Sequence, residues 1–260
     1  MTIGEVTSYC DALFHPEYQE DYDNAGFLLG RASDECRGVL VAIDLTPSVI
    51  DEAAKFGLNL IITHHPFIFS GIKRITSDNE TGRMVFSLIE NGIAVYAAHT
   101  NLDNLKNGVN GILSAKLGLS NTAILKPLTG HDDVGAGMVG ELSSPMNLED
   151  FCLMVKQRLG LKMLRCSPAC IDHVHRVALC GGAGAFLINQ AIGAKADVFL
   201  TADLKYHDFQ KAEGRIVLID AGHYESEQFA KELIYSAISE KFSKFACQIS
   251  RSTNSYINYI

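Results

Sequence analysis

The sequence predicts an α/β fold made of two homologous halves with mainly parallel or mixed sheets. Three observations predict it. Apolar runs of strand length alternate with capped, amphipathic runs of helix length along the 260 residues. The same plan occurs twice, once in residues 1–125 and once in residues 126–260, with a C-terminal segment free to pack back on the first half. Finally, a shift of 138 positions lays the second half on the first without a gap, so that Val39 meets Val177, Ile50 meets Ile188, Ala53 meets Ala191 and Thr63 meets Thr201.

The elements follow in order. Thr2 and Glu5 make a capping box for a first helix, whose apolar face is Ile3, Val6, Tyr9, Cys10 and Leu13. Gly26 to Gly30 is a short strand and Val39 to Asp44 a second. Thr46 and Pro47 then open a helix that Gly57 closes. Leu58 to Thr63 is a third strand and runs into His64-His65-Pro66. A helix over Thr81–Glu90 precedes the strand Ile93–Ala98, which runs into His99. In the second half, Asn147-Leu148-Glu149-Asp150 repeats the cap pattern and opens a helix to about Leu159. The strand from Val177, a glycine turn, a helix through Ile192 and the strand Asp197–Thr201 complete the repeat.

Composition narrows the function. With 22 Lys+Arg against 30 Asp+Glu the net charge is −8, the opposite of the basic surface that non-specific nucleic-acid binding requires. The N-terminal residues carry acids and no apolar core, so they do not read as a signal peptide, and no apolar run approaches membrane length. Seven scattered cysteines argue for reduced thiols in a cytoplasmic protein, and Cys166-x3-Cys170 lacks zinc-knuckle spacing.

Histidines carry the chemistry. His64-His65 sits directly after an apolar strand, at the end of a parallel sheet where α/β proteins build their sites. A polar strand end closed by Pro66 is the plainer reading. His99-x3-Asp103 and His223-x3-Glu227 add weight, because each follows an apolar strand and each places a carboxylate four residues after an imidazole. On a helix that spacing puts both groups on one face, where they can grip one cation or bridge two. Three histidine-bearing strand ends together predict a metal site between the halves at the carboxyl ends of the strands. His207 and Asp203 are supporting candidates, since Asp203 falls where the repeat places His65. Gly135-Ala136-Gly137-Met138-Val139-Gly140 has the spacing of a dinucleotide fingerprint, but no helix follows it closely, so it reads as a glycine-rich strand. Gly181 to Gly184 reads equally as a phosphate cradle or a tight turn before a helix.

Taken in order, Asp23-Asn24-Ala25-Gly26, Thr63-His64-His65-Pro66, Ala98-His99-Thr100-Asn101-Leu102-Asp103 and Gly222-His223-Tyr224-Glu225-Ser226-Glu227 resemble the signature of the NIF-three-like family. Members are often labelled GTP cyclohydrolase 1 type 2 homologues, and this chain is similar to the short form without an inserted domain. It departs from the family pattern at Tyr22, Ala25 and Ser255, none of them a candidate ligand. The resemblance implies two divalent ions per chain held by His64, His65, Asp103, His223 and Glu227, with Glu227 bridging, and a homohexameric ring. Zinc, iron and manganese all suit such donors. His99, four residues from Asp103 and not needed as a ligand, is the candidate acid/base. The expected activity is hydrolysis of a nucleotide or another small phosphorylated metabolite, and the alternative is a non-catalytic metal-binding scaffold, regulator or metal chaperone.

Overall fold

A computed structural model describes residues 1–252, 255–258 and 260. Along the chain lie α1 (Ile3–Phe14), β1 (Gly26–Leu29), β2 (Val39–Ala42), α2 (Pro47–Phe56), β3 (Leu60–Thr63), α3 (Glu80–Glu90), β4 (Ala94–Ala97), α4 (Thr100–Asp103) and α5 (Val109–Lys116). There follow β5 (Ser120–Pro127), β6 (Gly135–Asn147), α6 (Leu148–Leu159), β7 (Arg165–Cys166), β8 (His173–Ala183), α7 (Ile188–Gly193) and β9 (Val198–Ala202). The last are α8 (Tyr206–Gln210), β10 (Val217–Asp220), α9 (His223–Glu227), α10 (Ala230–Lys241) and β11 (Cys247–Ile249).

Two compact units result. The first holds Met1–Leu102 and the C-terminal segment from Ala230 through β11; the second holds Asp103–Phe229 and the described residues from Ser255 on. The main crossings between the units fall at Leu102/Asp103 and at Phe229/Ala230. The return of the C-terminal segment is made by β11, which pairs in parallel with β2, Cys247 opposite Val39.

The first unit carries a sheet of order β1-β4-β3-β2-β11, and the second a sheet of order β5-β6-β8-β9-β10-β7. Both contain a parallel three-strand centre, β4-β3-β2 in one and β10-β9-β8 in the other, with an antiparallel strand on the outer side of β4 or β10. The sheet register repeats with the sequence. Val39 pairs with Leu60 in the first unit and Val177 with Val198 in the second, each member shifted by the same 138 positions. Across the next strand Thr63 pairs with Ala97 and Thr201 with Asp220, which leaves two steps to His99 but three to His223. Gly222, at φ +87°, lies in that extra step.

Local chemistry explains the helices. Thr2 and Glu5 form the reciprocal capping box, and Asn147 caps α6 by accepting the Asp150 N–H. Thr46 accepts the Val49 N–H, Pro47 starts α2, and Gly57 ends it at φ +69°. Val49, Ile50 and Ala53 on that helix are buried with Leu40, Ile61 and Val95 of the sheet, each large aliphatic side chain contributing roughly 1.5–3 kcal/mol. The second unit buries residues on both faces of its sheet, Val177, Leu179, Val198 and Leu200 on one side and Ala178, Phe199 and Leu218 on the other. That two-sided burial explains the uninterrupted apolar runs of its parallel strands.

The glycine-rich segment at Gly135 is a strand, as its sequence context requires. A Cβ at Gly137, where φ is +67°, would stand 2.7 Å from Leu187 Cδ1 and 3.0 Å from the Leu179 carbonyl oxygen. Gly181 and Gly182 are strand residues with engaged amides, which neither a free phosphate cradle nor a simple turn would have. β8 continues through Ala183, the Gly181 N–H donates to Asn110 Oδ1 at 2.9 Å and the Gly182 N–H to Ser226 Oγ at 3.0 Å. With those amides spent, they hold α5 and α9 in place and have no donor left for a ligand.

Candidate metal centre

In the first unit, parallel pairing carries on past the end of β3. The His64 N–H donates to the Ala42 carbonyl and the His65 N–H to that of Ile43, while Thr63 Oγ1 donates to the His65 carbonyl at 2.7 Å. This bend turns two neighbouring side chains toward one region, although adjacent residues of a regular strand would point to opposite faces. The His64 and His65 ring centroids are 4.9 Å apart, and each lies 5.4 Å from the ring of His99. His64 is fully buried.

Each imidazole is held from behind. His64 Nδ1–H donates to the Ala98 carbonyl at 2.7 Å, and His65 Nδ1–H to Asp44 Oδ1 at 2.7 Å. His99 Nδ1–H donates to Asp23 Oδ1, also at 2.7 Å. A carbonyl or carboxylate can only accept, so Nδ1 carries the proton and, in the neutral ring, Nε2 carries the lone pair. Asp23 also receives the N–H and hydroxyl of Thr100. Burial alone would raise the Asp23 carboxyl. The hydrogen bonds from His99 and Thr100, the imidazole charge and the Asn24 N–H outweigh it and hold the group at about 2.

In the second unit, α9 brings His223 and Glu227 together across one turn, Nε2 to Oε2 at 2.9 Å, as the four-residue spacing predicts. Behind it, His223 Nδ1–H donates to Asp203 Oδ2 at 2.7 Å. Glu227 is buried, and its carboxylate lies against the backbone of Gly182, where φ is +61° and any Cβ would overlap Oε1. Asp103 is partly buried at the end of α4, and its carbonyl accepts the Asn110 side-chain N–H at 3.0 Å. Asp220 ties the surrounding loops: it accepts the Leu204 N–H at 2.9 Å and the Gly222 N–H at 3.0 Å, and pairs with Arg165. His207 is exposed on α8, in ring contact with Tyr206.

The repeat thus has its own logic. His99 and His223 correspond, and each donates Nδ1–H to an aspartate, Asp23 in one unit and Asp203 in the other. Asp203 stands at the repeat position of His65, and Gly182 at that of Asp44. Asp44 and Asp220 carry one sequence signal, an acid that ends an apolar run.

Residues 1–255 match the family model for Duf34/NIF3 (NGG1p interacting factor 3). The chain belongs to the Duf34/NIF3 family. Among relatives of this NIF3-family chain is a Clostridium perfringens protein named GTP cyclohydrolase 1 type 2 homolog, 32% identical over 230 residues that make up 87% of each chain. A Bacillus cereus protein related to NIF3 superposes with a TM-score of 0.93 at 25% identity, over 100% of this chain and 99% of that one. A Staphylococcus aureus hypothetical protein gives 0.92 at 30% identity, again over 100% and 99%.

The residues of this NIF3-family chain fit divalent ions. The donors are imidazole nitrogens and carboxylate oxygens, which zinc, iron and manganese all accept once the ring nitrogen has lost its proton. His64, His65 and His223 each have Nδ1 fixed by an oxygen, the arrangement that sets tautomer and ring direction in metal-binding histidines. Gly182 provides a second fit, a backbone position kept open for the Glu227 carboxylate. Among the described residues no helix is long and apolar enough to cross a membrane, and all seven cysteines are free.

Proposed function

We propose that this NIF3-family chain is a metal-dependent hydrolase of a nucleotide or another small phosphorylated metabolite. In this reading His64, His65, Asp103, His223 and Glu227 would hold two divalent ions, and the chain works as a homohexamer. One observation carries it: all three candidate histidine ligands have Nδ1 bonded to an oxygen and Nε2 directed away from that partner. His64, His65 and Glu227 each offer one ligand atom of the kind a divalent ion takes. When bound, two such ions supply charge stabilisation at the scissile centre and a water nucleophile near neutral pH.

His99 has a separate task. Its Nε2 lone pair accepts a proton from the attacking water and returns it to the leaving group, while Asp23 holds the ring and stabilises its cationic form. The names of the relatives make GTP the first substrate to try.

The test has two parts. Protein purified anaerobically without chelators is expected to carry about two divalent ions per chain by elemental analysis, and His65→Ala to lose metal and turnover together. Metal-loaded protein is then assayed for purine ring opening with GTP, by absorbance, and against a phosphoester panel. An empty wild-type chain would overturn the metal reading. Full metal without turnover on any substrate would leave a scaffold or metal chaperone.

A further inference from the structure

Two bulky rings of the first unit lie beside its histidine cluster and outside its core. Tyr22 is 61% exposed and Phe69 47% exposed. Their centroids are 6.2 Å apart with the planes inclined at 45°, and Phe69 meets His99 edge-on at 6.1 Å. Inclined rings make a notch with two apolar walls, and leaving both in water forgoes the free energy their burial would provide.

The notch is braced by the residues that organise the histidine. Asn24 donates its side-chain N–H to the Ile68 carbonyl at 2.6 Å, which ties the turn of Tyr22 to the loop of Phe69. Between Tyr22 and Asn24 sits Asp23, the partner of His99 Nδ1 and of Thr100. Three consecutive residues therefore supply a wall, orient the acid/base imidazole and fix the opposite wall. The Phe69 loop also exposes Lys73 and Arg74, cations on a chain whose net charge is −8.

We propose that Tyr22 and Phe69 form a stacking notch that receives the planar heterocycle of a nucleotide and sets it against His99. The flat π-faces select an aromatic ring over an aliphatic sugar or polyol, because every nucleobase has a face that stacks on such side chains. The exposed cations of the same loop suit a phosphorylated ring better than a neutral one. This rests on the nucleotide reading above and names the part of the substrate that reading leaves open.

The experiment is isothermal titration of GTP, guanosine and tripolyphosphate into the full chain, chelator-treated and metal-loaded, with elemental analysis of the same samples. The variants are Phe69→Leu and Tyr22→Leu, with Tyr206→Ala, a 77% exposed aromatic of the second unit, as the control. Exposed positions tolerate such changes with little loss of stability, and thermal melts check it. Phe69→Leu is expected to weaken GTP and guanosine about tenfold and to leave tripolyphosphate and metal content unchanged, while Tyr206→Ala changes nothing. Guanosine that fails to bind wild type, or GTP affinity unaltered in the double variant Phe69→Leu/Tyr22→Leu, would overturn the notch. Wild type that holds no metal yet binds guanosine through Phe69 would overturn the hydrolase reading and keep the notch.

Discussion

Gly182→Ala tests the carboxylate cradle with a single methyl group. Two costs arise and can be separated. The backbone sits at φ +61°, where a side chain costs about 1–2 kcal/mol. The added Cβ would also stand 3.0 Å from Glu227 Cδ, 3.5 Å from His223 Cε1 and overlap Glu227 Oε1. That oxygen has to retreat by about 1 Å or more to reach ordinary contact, and metal–ligand distances tolerate only about 0.2 Å. Because Glu227 is 3% exposed, it has no open solvent to swing into. Gly160→Ala is the control, since its φ is +70° and a Cβ there meets nothing within 4 Å. Calorimetry on chelator-treated protein should show both variants melting roughly 2–6 °C lower. Titration with Zn²⁺ or Mn²⁺ should show Gly182→Ala binding more weakly by at least tenfold and Gly160→Ala binding as wild type. Equal metal affinity in the two variants would refute the reasoning.

Three further outcomes follow. His99→Asn should keep its full metal content, measured by elemental analysis, while turnover falls roughly 100-fold or more; parallel loss of metal would make His99 a ligand instead. Asp23 is held at about 2, against an ordinary 3.8, so its contribution is complete above the ordinary value and disappears as pH falls through the folded one. Asp23→Asn should thus lower stability by about 2 kcal/mol at pH 6, with the gap closing toward pH 2 in urea titrations; a gap independent of pH would contradict this. Sedimentation should give about 170 kDa for six chains of 28.3 kDa, and a 28 kDa species at micromolar concentration would exclude the hexamer.

Much of the fold was legible because the signals are local. Thr2 with Glu5, Thr46 with Pro47, and Asn147 with Asp150 announce helices within four residues, and Leu60–Thr63 or Val198–Ala202 announce buried parallel strands by apolar character alone. Antiparallel β5 and the brief β7 and β11 escape such reading. β5 is mostly exposed, and β7 and β11 have two and three residues, too few for a period to show.

By itself the sequence determined the strand–helix alternation, the repeat at 138 positions and the placing of His64, His65, His99 and His223 at strand ends. Those follow from side-chain character and spacing along one strand or one helical turn. Only the tertiary structure decided which nitrogen of each ring is engaged. The partners that decide it, Asp44 for His65, Asp203 for His223 and Asp23 for His99, lie 21, 20 and 76 residues away along the chain. Sheet pairing and loop bracing bring them within hydrogen-bond reach, and hydrogen bonding depends on distance in space, which spacing in the sequence does not fix.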